Sequence, residues 1–443
     1  MQNNKIVRWV MVCVVALFAT TLSAQTTSTR NTYSIYSMYG IGDILTPGSL
    51  PSRSMGGTGV ASRSSASINL LNPASYSIAI RKGILFDIGA EASLVTNTQN
   101  NAQSSYWAAN LHNISLQIPV AKGMGIGFGI SPYSTVGYYL NDYEKVTDMG
   151  LLTYNYNGSG EIIEANLGFG ITVTKGLSLG VAVKYYWGLL DRYYSLSVLP
   201  ITTSASYSTT QGLEGTYISK LKAQFGVQWD LMMTTSKRFT LGATYDLGGN
   251  ISPAVDMIVT SGSAGDIVEI TARDVVEYPV LNFPHQVNVG ATYRDRKWQM
   301  AADFTYQAWA GNDITLTAEG VEVAYANNAT LKMGVEYLPS RADTRYYYKR
   351  MSYRGGLRLG NYYQTFGGEI LPQWAATAGV GFPISLFGMS NLDLGIEYSG
   401  LGSTKTVNTG SNSMNLIRQN CVKVSVGLTL FGDDYWFQRV KYD

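Results

Sequence analysis

From Ile84 to Leu430 the chain repeats one device: apolar residues at every second position. Ile84, Phe86, Ile88, Ala90, Ala92 and Leu94 alternate with Leu85, Asp87, Gly89, Glu91 and Ser93. Successive side chains of a strand point to opposite faces, so a period of two predicts one apolar and one mostly polar face. The pattern returns in Ile114, Leu116, Ile118 and Val120, in a strand expected over 106–120. An Ala121-Lys122-Gly123 turn leads to Met124, Ile126, Phe128 and Ile130. Further strands are expected from Ile163 to Val173, Leu177 to Trp187, Leu221 to Trp229 and Phe239 to Tyr245. Val287 to Tyr293, Trp298 to Tyr306, Leu331 to Tyr337 and Tyr353 to Leu359 continue the series. Trp374 to Phe382, Leu392 to Tyr398 and Val422 to Leu430 complete it.

The connections sort into two kinds. Lys175-Gly176, Ser236-Lys237 and Asp295-Arg296-Lys297 are tight, and Arg341 to Arg350 is a charged turn. The polar stretches 97–105, 139–158, 197–213 and 310–327 read as long loops, and 250–280 as an extracellular excursion. About fourteen strands, with short turns alternating with long loops, predict an all-β transmembrane antiparallel barrel, short turns toward the periplasm. Only a closed barrel satisfies every backbone group of strands in a bilayer. A soluble β-sandwich would not sort its turns this way.

Composition agrees. Charged residues are 14%, against the ~25% of ordinary soluble proteins, while Gly (47) and Tyr (32) are abundant. A net charge of +2 makes no case for nucleic acid. Residues 1–24 read as a signal peptide: Lys5 and Arg8 precede an apolar run from Val10 to Ala19, and Leu22-Ser23-Ala24 offers a cleavage site. Cys421 is then the one remaining cysteine, so no internal disulfide is expected. Export without a membrane helix predicts the outer membrane of a Gram-negative bacterium. Residues 25–82 are assigned to an N-terminal plug, 83–432 to the barrel and 433–443 to a periplasmic tail.

The stretch 54–76, SMGGTGVASRSSASINLLNPASY, is rich in small residues and cannot build a core of its own. Gly56, Gly57 and Gly59 permit positive φ or close backbone approach. Pro73 fixes its own φ and holds Asn72 out of the helical region. Such a segment could pack as a thin plug inside something hollow. The small-Gly-Gly-x-Gly-x-Ala pattern followed by Asn72-Pro73-Ala74 resembles the N-terminal hatch of the FadL/TodX family of outer-membrane transport proteins. PorV-like barrels of the type IX secretion system carry a similar stretch. The resemblance implies passive uptake of hydrophobic or amphipathic small molecules through a lumen gated by this plug. It also implies an inward kink in the third strand that opens the lumen to the bilayer, for which Ser131-Pro132 is the candidate, since proline cannot donate to the ladder. The other reading of Pro132 is that the membrane part ends there.

No enzyme signature is present: the chain has only His112 and His285, and no GxSxG, HExxH or CxxC. No catalytic residue, metal site or cofactor is expected. The polar strand phase carries Asp87, Glu91, Lys184, Lys332, Glu336, Arg354, Arg358, Asp393 and Glu397, so ions of both signs are expected in the lumen. They either lock the interior by pairing or line a narrow solute path. Tyr185, Tyr186, Trp187 and Tyr346 to Tyr348 are candidates for interfacial girdles. The expected partners are outer-membrane lipid, a hydrophobic ligand, or other envelope proteins for which the barrel is a scaffold in secretion or barrel assembly. A continuous apolar path would favour transport; an ion-paired interior would favour the scaffold.

Overall fold

The computed structural model describes residues 30–78, 83–147, 150–201, 207–234, 236–251, 254–263, 266–270, 281–312, 316–318, 321–340, 343, 345–385, 389–409 and 412–432. The signal-peptide and C-terminal-tail assignments lie outside them. Fourteen antiparallel strands form the barrel. They are β1 (Ile84–Gln99), β2 (Ala102–Ala121), β3 (Met124–Val146), β4 (Gly150–Thr174), β5 (Leu177–Pro200), β6 (Thr209–Met233) and β7 (Arg238–Asp246). Then follow β8 (Gln286–Arg294), β9 (Trp298–Gln307), β10 (Asn328–Tyr337), β11 (Ser352–Phe366), β12 (Glu369–Ser385), β13 (Met389–Leu401) and β14 (Arg418–Gly432). Each pairs with its neighbour in sequence, and β14 closes on β1 from Ile84↔Gly432 to Thr98↔Arg418.

Several expected loops are strand. β4 has 25 residues and β5 has 24, more than twice the ~9–11 that cross a bilayer. Much of 139–158 and 197–213, and all of 97–105 except a turn at Asn100-Asn101, lies in strands that rise beyond the membrane. Within the expected excursion 250–280, Ala254–Ser263 pairs with β6, and Asp266–Ile270 pairs back on it. Above the bilayer the outer face of a strand meets water instead of lipid, so the apolar outer phase that reveals a strand in the membrane disappears there.

The outer surface carries the apolar phase. Leu221, Phe225 and Trp229 on β6 are all at least half exposed to the surroundings. Aromatic pairs mark both rims of this band. Tyr185 stacks on Trp187, with ring centres 5.5 Å apart, and Trp374 meets Tyr398 at the extracellular rim; Trp298 meets Tyr337 at the periplasmic one. Such girdles belong to membrane barrels. Tyr186 departs from the expected girdle. It lies on the polar phase, points inward at 2% exposure, and donates to Glu164 Oε2 at 2.6 Å.

Inside, the N-terminal segment fills the waist of the lumen. It consists of a short helix (Leu50–Arg53), turns, and a 3-10 helix (Pro73–Ile78). Above it, the extracellular half holds an apolar core built from Tyr36, Ile41, Tyr186, Phe283, Trp309, Tyr363, Phe366 and Leu371.

Candidate functional site: the plugged lumen and the break in its wall

The plug fits because the wall is thin where it leans. A side chain on Gly334 would lie 2.6 Å from Met55 Cβ, and one on Gly395 would lie 2.9 Å from Leu50 Cδ1. The glycines that space the strands are therefore the sockets of the plug. Gly56 and Gly57 take φ of 73° and 83°, the left-handed region. A Cβ on Gly56 would also lie 2.7 Å from the Leu357 carbonyl of the wall. The Gly56 amide donates to Thr377 Oγ1 at 2.9 Å, and Thr377 donates to the Ser54 carbonyl at 3.0 Å.

The Gly59 and Val60 amides both donate to Asp303 Oδ2 on β9, at 2.6 and 2.9 Å. Asn72 works as a local clasp. Its Oδ1 accepts from the Ala74 amide at 3.0 Å, opening the 3-10 helix at Pro73. Its Nδ2 donates to the Val60 carbonyl at 2.8 Å, tying the two halves of the plug together.

Two plug cations anchor in the wall, and neither stands out in the sequence. Arg53 donates to Glu91 on β1, both about 5% exposed. Arg63 reaches Asp230 on β6 at 3.3 Å and donates to Ser178 Oγ at 3.0 Å. Glu91 also faces Lys423 at 3.9 Å and His112, whose Nε2 meets the Gly48 carbonyl at 3.1 Å.

The polar-phase charges of the strands converge on the lumen and on one another. Lys184 sits 3.1 Å from Asp246 and 3.6 Å from Glu164. Arg354 bridges Glu336, at 2.7 Å, and Asp393. Arg358 donates to Glu397 at 3.0 Å. Asp87 accepts from Asn113 and from Thr429, the latter at 2.7 Å. Lys332 lies opposite Asp303 across the β9–β10 ladder. Burying ions in a low dielectric is tolerable only with such partners. Among the described residues no cluster of His, Cys, Asp or Glu could hold a metal.

Cavities remain on both sides of the plug. One of about 130 Å³ lies on the extracellular side, lined by Leu45, Val60, Leu70, Tyr133, Lys222 and Tyr362. One of about 290 Å³ lies on the periplasmic side, lined by Met55, Ser62, Asn69, Arg294, Arg350 and Arg354.

The wall itself is interrupted between β2 and β3. Their ladder runs from Ala121↔Met124 to Ile114↔Ile130 and stops there. Ser131 and Pro132 follow at once, and the β3–β4 register shifts between Pro132 and Ser134. β3 does not end: it continues to Val146, paired with β4. On its β2 side the N-terminal segment takes the vacant place, with Asp43↔Thr135 and Ile44↔Ser134. Higher in the gap, Arg30 donates to Asn157 Oδ1 at 2.7 Å, Asn110 on β2 donates to the Asn31 carbonyl, and Tyr33 stacks on Tyr106 of β2.

A family model described as BamG matches residues 6–443. The chain belongs to the BamG family. No curated protein matches it. Among solved structures, this BamG-family barrel resembles the toluene transporter TodX of P. putida (TM-score 0.57, 15% identity, 88% of this chain and 99% of that one). It also resembles a Pseudomonas aeruginosa FadL homologue (TM-score 0.59, 12% identity, 87% and 99%) and the Ralstonia pickettii toluene transporter TbuX (TM-score 0.54, 15% identity, 87% and 98%). At identities this low the likeness shows the shared fold alone, a FadL-type barrel.

Proposed function

We propose that this barrel is a sealed scaffold of the outer membrane, a subunit of a complex that secretes or assembles other envelope proteins. One observation carries the reading: the lumen is blocked twice, by the plug at its waist and by an apolar core at its extracellular mouth. The plug is held by buried pairs such as Arg53–Glu91 and Arg63–Asp230, and the extracellular mouth is packed around Trp309, Tyr363 and Leu371, each 1% exposed or less. A barrel closed in this way offers its partners its rims and its lipid-facing wall. The reading gives it no catalytic role. Depleting the protein tests it. The level of folded outer-membrane proteins should fall, while entry of a hydrophobic solute stays unchanged. A loss of uptake with normal levels of folded barrels would overturn it.

One observation favours a second reading, passive uptake of hydrophobic molecules, in keeping with the toluene transporters TodX and TbuX of similar fold. The end of the β2–β3 ladder lies beside the upper cavity, whose lining includes Ser131 and Pro132. A lipid-like solute could leave through such a break directly into the bilayer. In Pro132→Val the strand could regain its ladder. Unchanged uptake of a hydrophobic solute in that variant would sink this second reading.

A further inference from the structure

The periplasmic rim from β8 to β11 concentrates positive charge around an open recess. The β8–β9 turn and the β10–β11 connection lie side by side, joined where the Leu338 amide donates to the Lys297 carbonyl at 2.8 Å. Together they bring Arg294, Arg296, Lys297, Arg345, Lys349 and Arg350 to one sector, against Asp295 and Asp343. Asp343 is already engaged by Lys349 at 3.6 Å.

The 290 Å³ cavity opens at this sector, and a second one of about 170 Å³ adjoins it; both are lined by Arg294, Gln299, Glu336 and Leu338. Inside the larger cavity Glu336 and Asp393 are bound to Arg354. Arg350 is different. Its guanidinium lies 5.0 Å from the Tyr347 ring centre, it makes no ion pair among the described residues, and its Nε is buried without an acceptor. A ring face steadies a cation without neutralising it.

We propose that this recess binds an acidic, extended segment of a periplasmic protein, with carboxylates on Arg350 and Arg294 and the outer cations steering its approach. The proposal rests on the scaffold reading and names the chemistry of one partner. The recess is walled by the plug loop Ser62 to Asn69, which places it inside the barrel mouth, out of reach of lipid headgroups. Its volume sits near the lower end of the ~300–1,000 Å³ of ordinary ligand pockets, which suits a few side chains rather than a folded domain. Attraction of this kind weakens as salt shortens the Debye length.

The test uses the full chain in detergent micelles with fluorescein-labelled hexaglutamate as probe and hexaglutamine as control. Anisotropy should report hexaglutamate binding that raised salt weakens, and Arg294→Gln/Arg350→Gln should weaken it by about tenfold or more. Lys122→Gln/Lys175→Gln, on turns outside this sector, should leave it unchanged, and heat-modifiable migration confirms folding of each variant. Equal binding of the two peptides, or equal affinity of the two double variants, overturns the proposal. Tighter binding by a chain ending at Gly432 also overturns it, because Asp433 and Asp434 of this chain would then be the occupant. If wild type co-purifies envelope partners while hexaglutamate fails to bind, the recess proposal falls and the scaffold stands. If no partner co-purifies, the scaffold reading falls and the proposed protein ligand falls with it.

Discussion

The backbone amide of Gly59, in the plug, donates to Asp303 Oδ2, on β9, at 2.6 Å. The adjacent Val60 amide shares that oxygen at 2.9 Å. One carboxylate thus holds the centre of the plug against the wall. Hydrogen bonds to charged groups are worth about 1.5–3 kcal/mol each. Asp303→Ala should loosen the plug by a few kcal/mol while the barrel stays closed. Hydrogen exchange should show faster exchange of peptides covering 56–62 and unchanged protection of β9 and β10. Asp303→Asn keeps one acceptor and should fall between.

Glu91 is the counter-ion for Arg53 and lies near Lys423 and His112. Glu91→Gln leaves Arg53 buried without its charge partner, a change worth about 3–5 kcal/mol. The temperature at which the barrel loses its fast-migrating folded band in detergent electrophoresis should fall clearly. Arg53→Met/Glu91→Leu removes both charges and should recover much of the loss.

The occupied gap between β2 and β3 makes a distance prediction. Tyr33 and Tyr106 stack with ring centres 4.7 Å apart. With Cys421→Ser as background, Tyr33→Cys and Tyr106→Cys should be joined by a short thiol cross-linker in native membranes. Tyr33→Cys with Tyr306→Cys should not. Equal yields from the two pairs would mean that the segment does not sit in the gap.

Asp343 orders the β10–β11 connection by accepting from the amides of Arg345, at 2.9 Å, and Tyr346, at 2.8 Å. The Tyr346 amide first, then that of Arg345 and the nearby Lys349, hold its carboxyl below the usual carboxylate range. A depressed folded-state pKa gives ordering that is complete above the unfolded value of about 3.9 and is lost as pH falls through the lower folded one. At neutral pH, Asp343→Asn should exchange the amides of this connection faster than wild type. Once the pH falls below the lowered folded-state value and the carboxyl protonates, the difference should vanish.

How far the sequence reveals this protein depends on which solvent each residue meets. Ile84 to Leu94 and Trp298 to Tyr306 lie between lipid and lumen, so their period of two is legible, and with it the barrel and its short turns. Residues 139–146 and 150–158 are equally strand, but their outer face meets water rather than lipid, which leaves no apolar outer phase to read. The plug shows itself through Gly56, Gly57 and Asn72, whose backbone demands are local. Its anchors Arg53 and Arg63 do not, because their partners Glu91 and Asp230 are distant in the chain. The lumen charges of the strands are visible from phase alone, whereas their pairing, Arg354 with both Glu336 and Asp393 for instance, needs the register. The end of the β2–β3 ladder has one local sign, Pro132; the filling of the gap by 30–44 has none.

The most direct test of the sealed-scaffold account is native purification of the tagged protein in gentle detergent, with mass spectrometry of proteins and extracted lipids from the same sample. The account predicts stoichiometric envelope proteins and no lipid-like molecule held in the lumen. A barrel that arrives alone, with a hydrophobic molecule bound inside it, would contradict the account and make this chain a transporter.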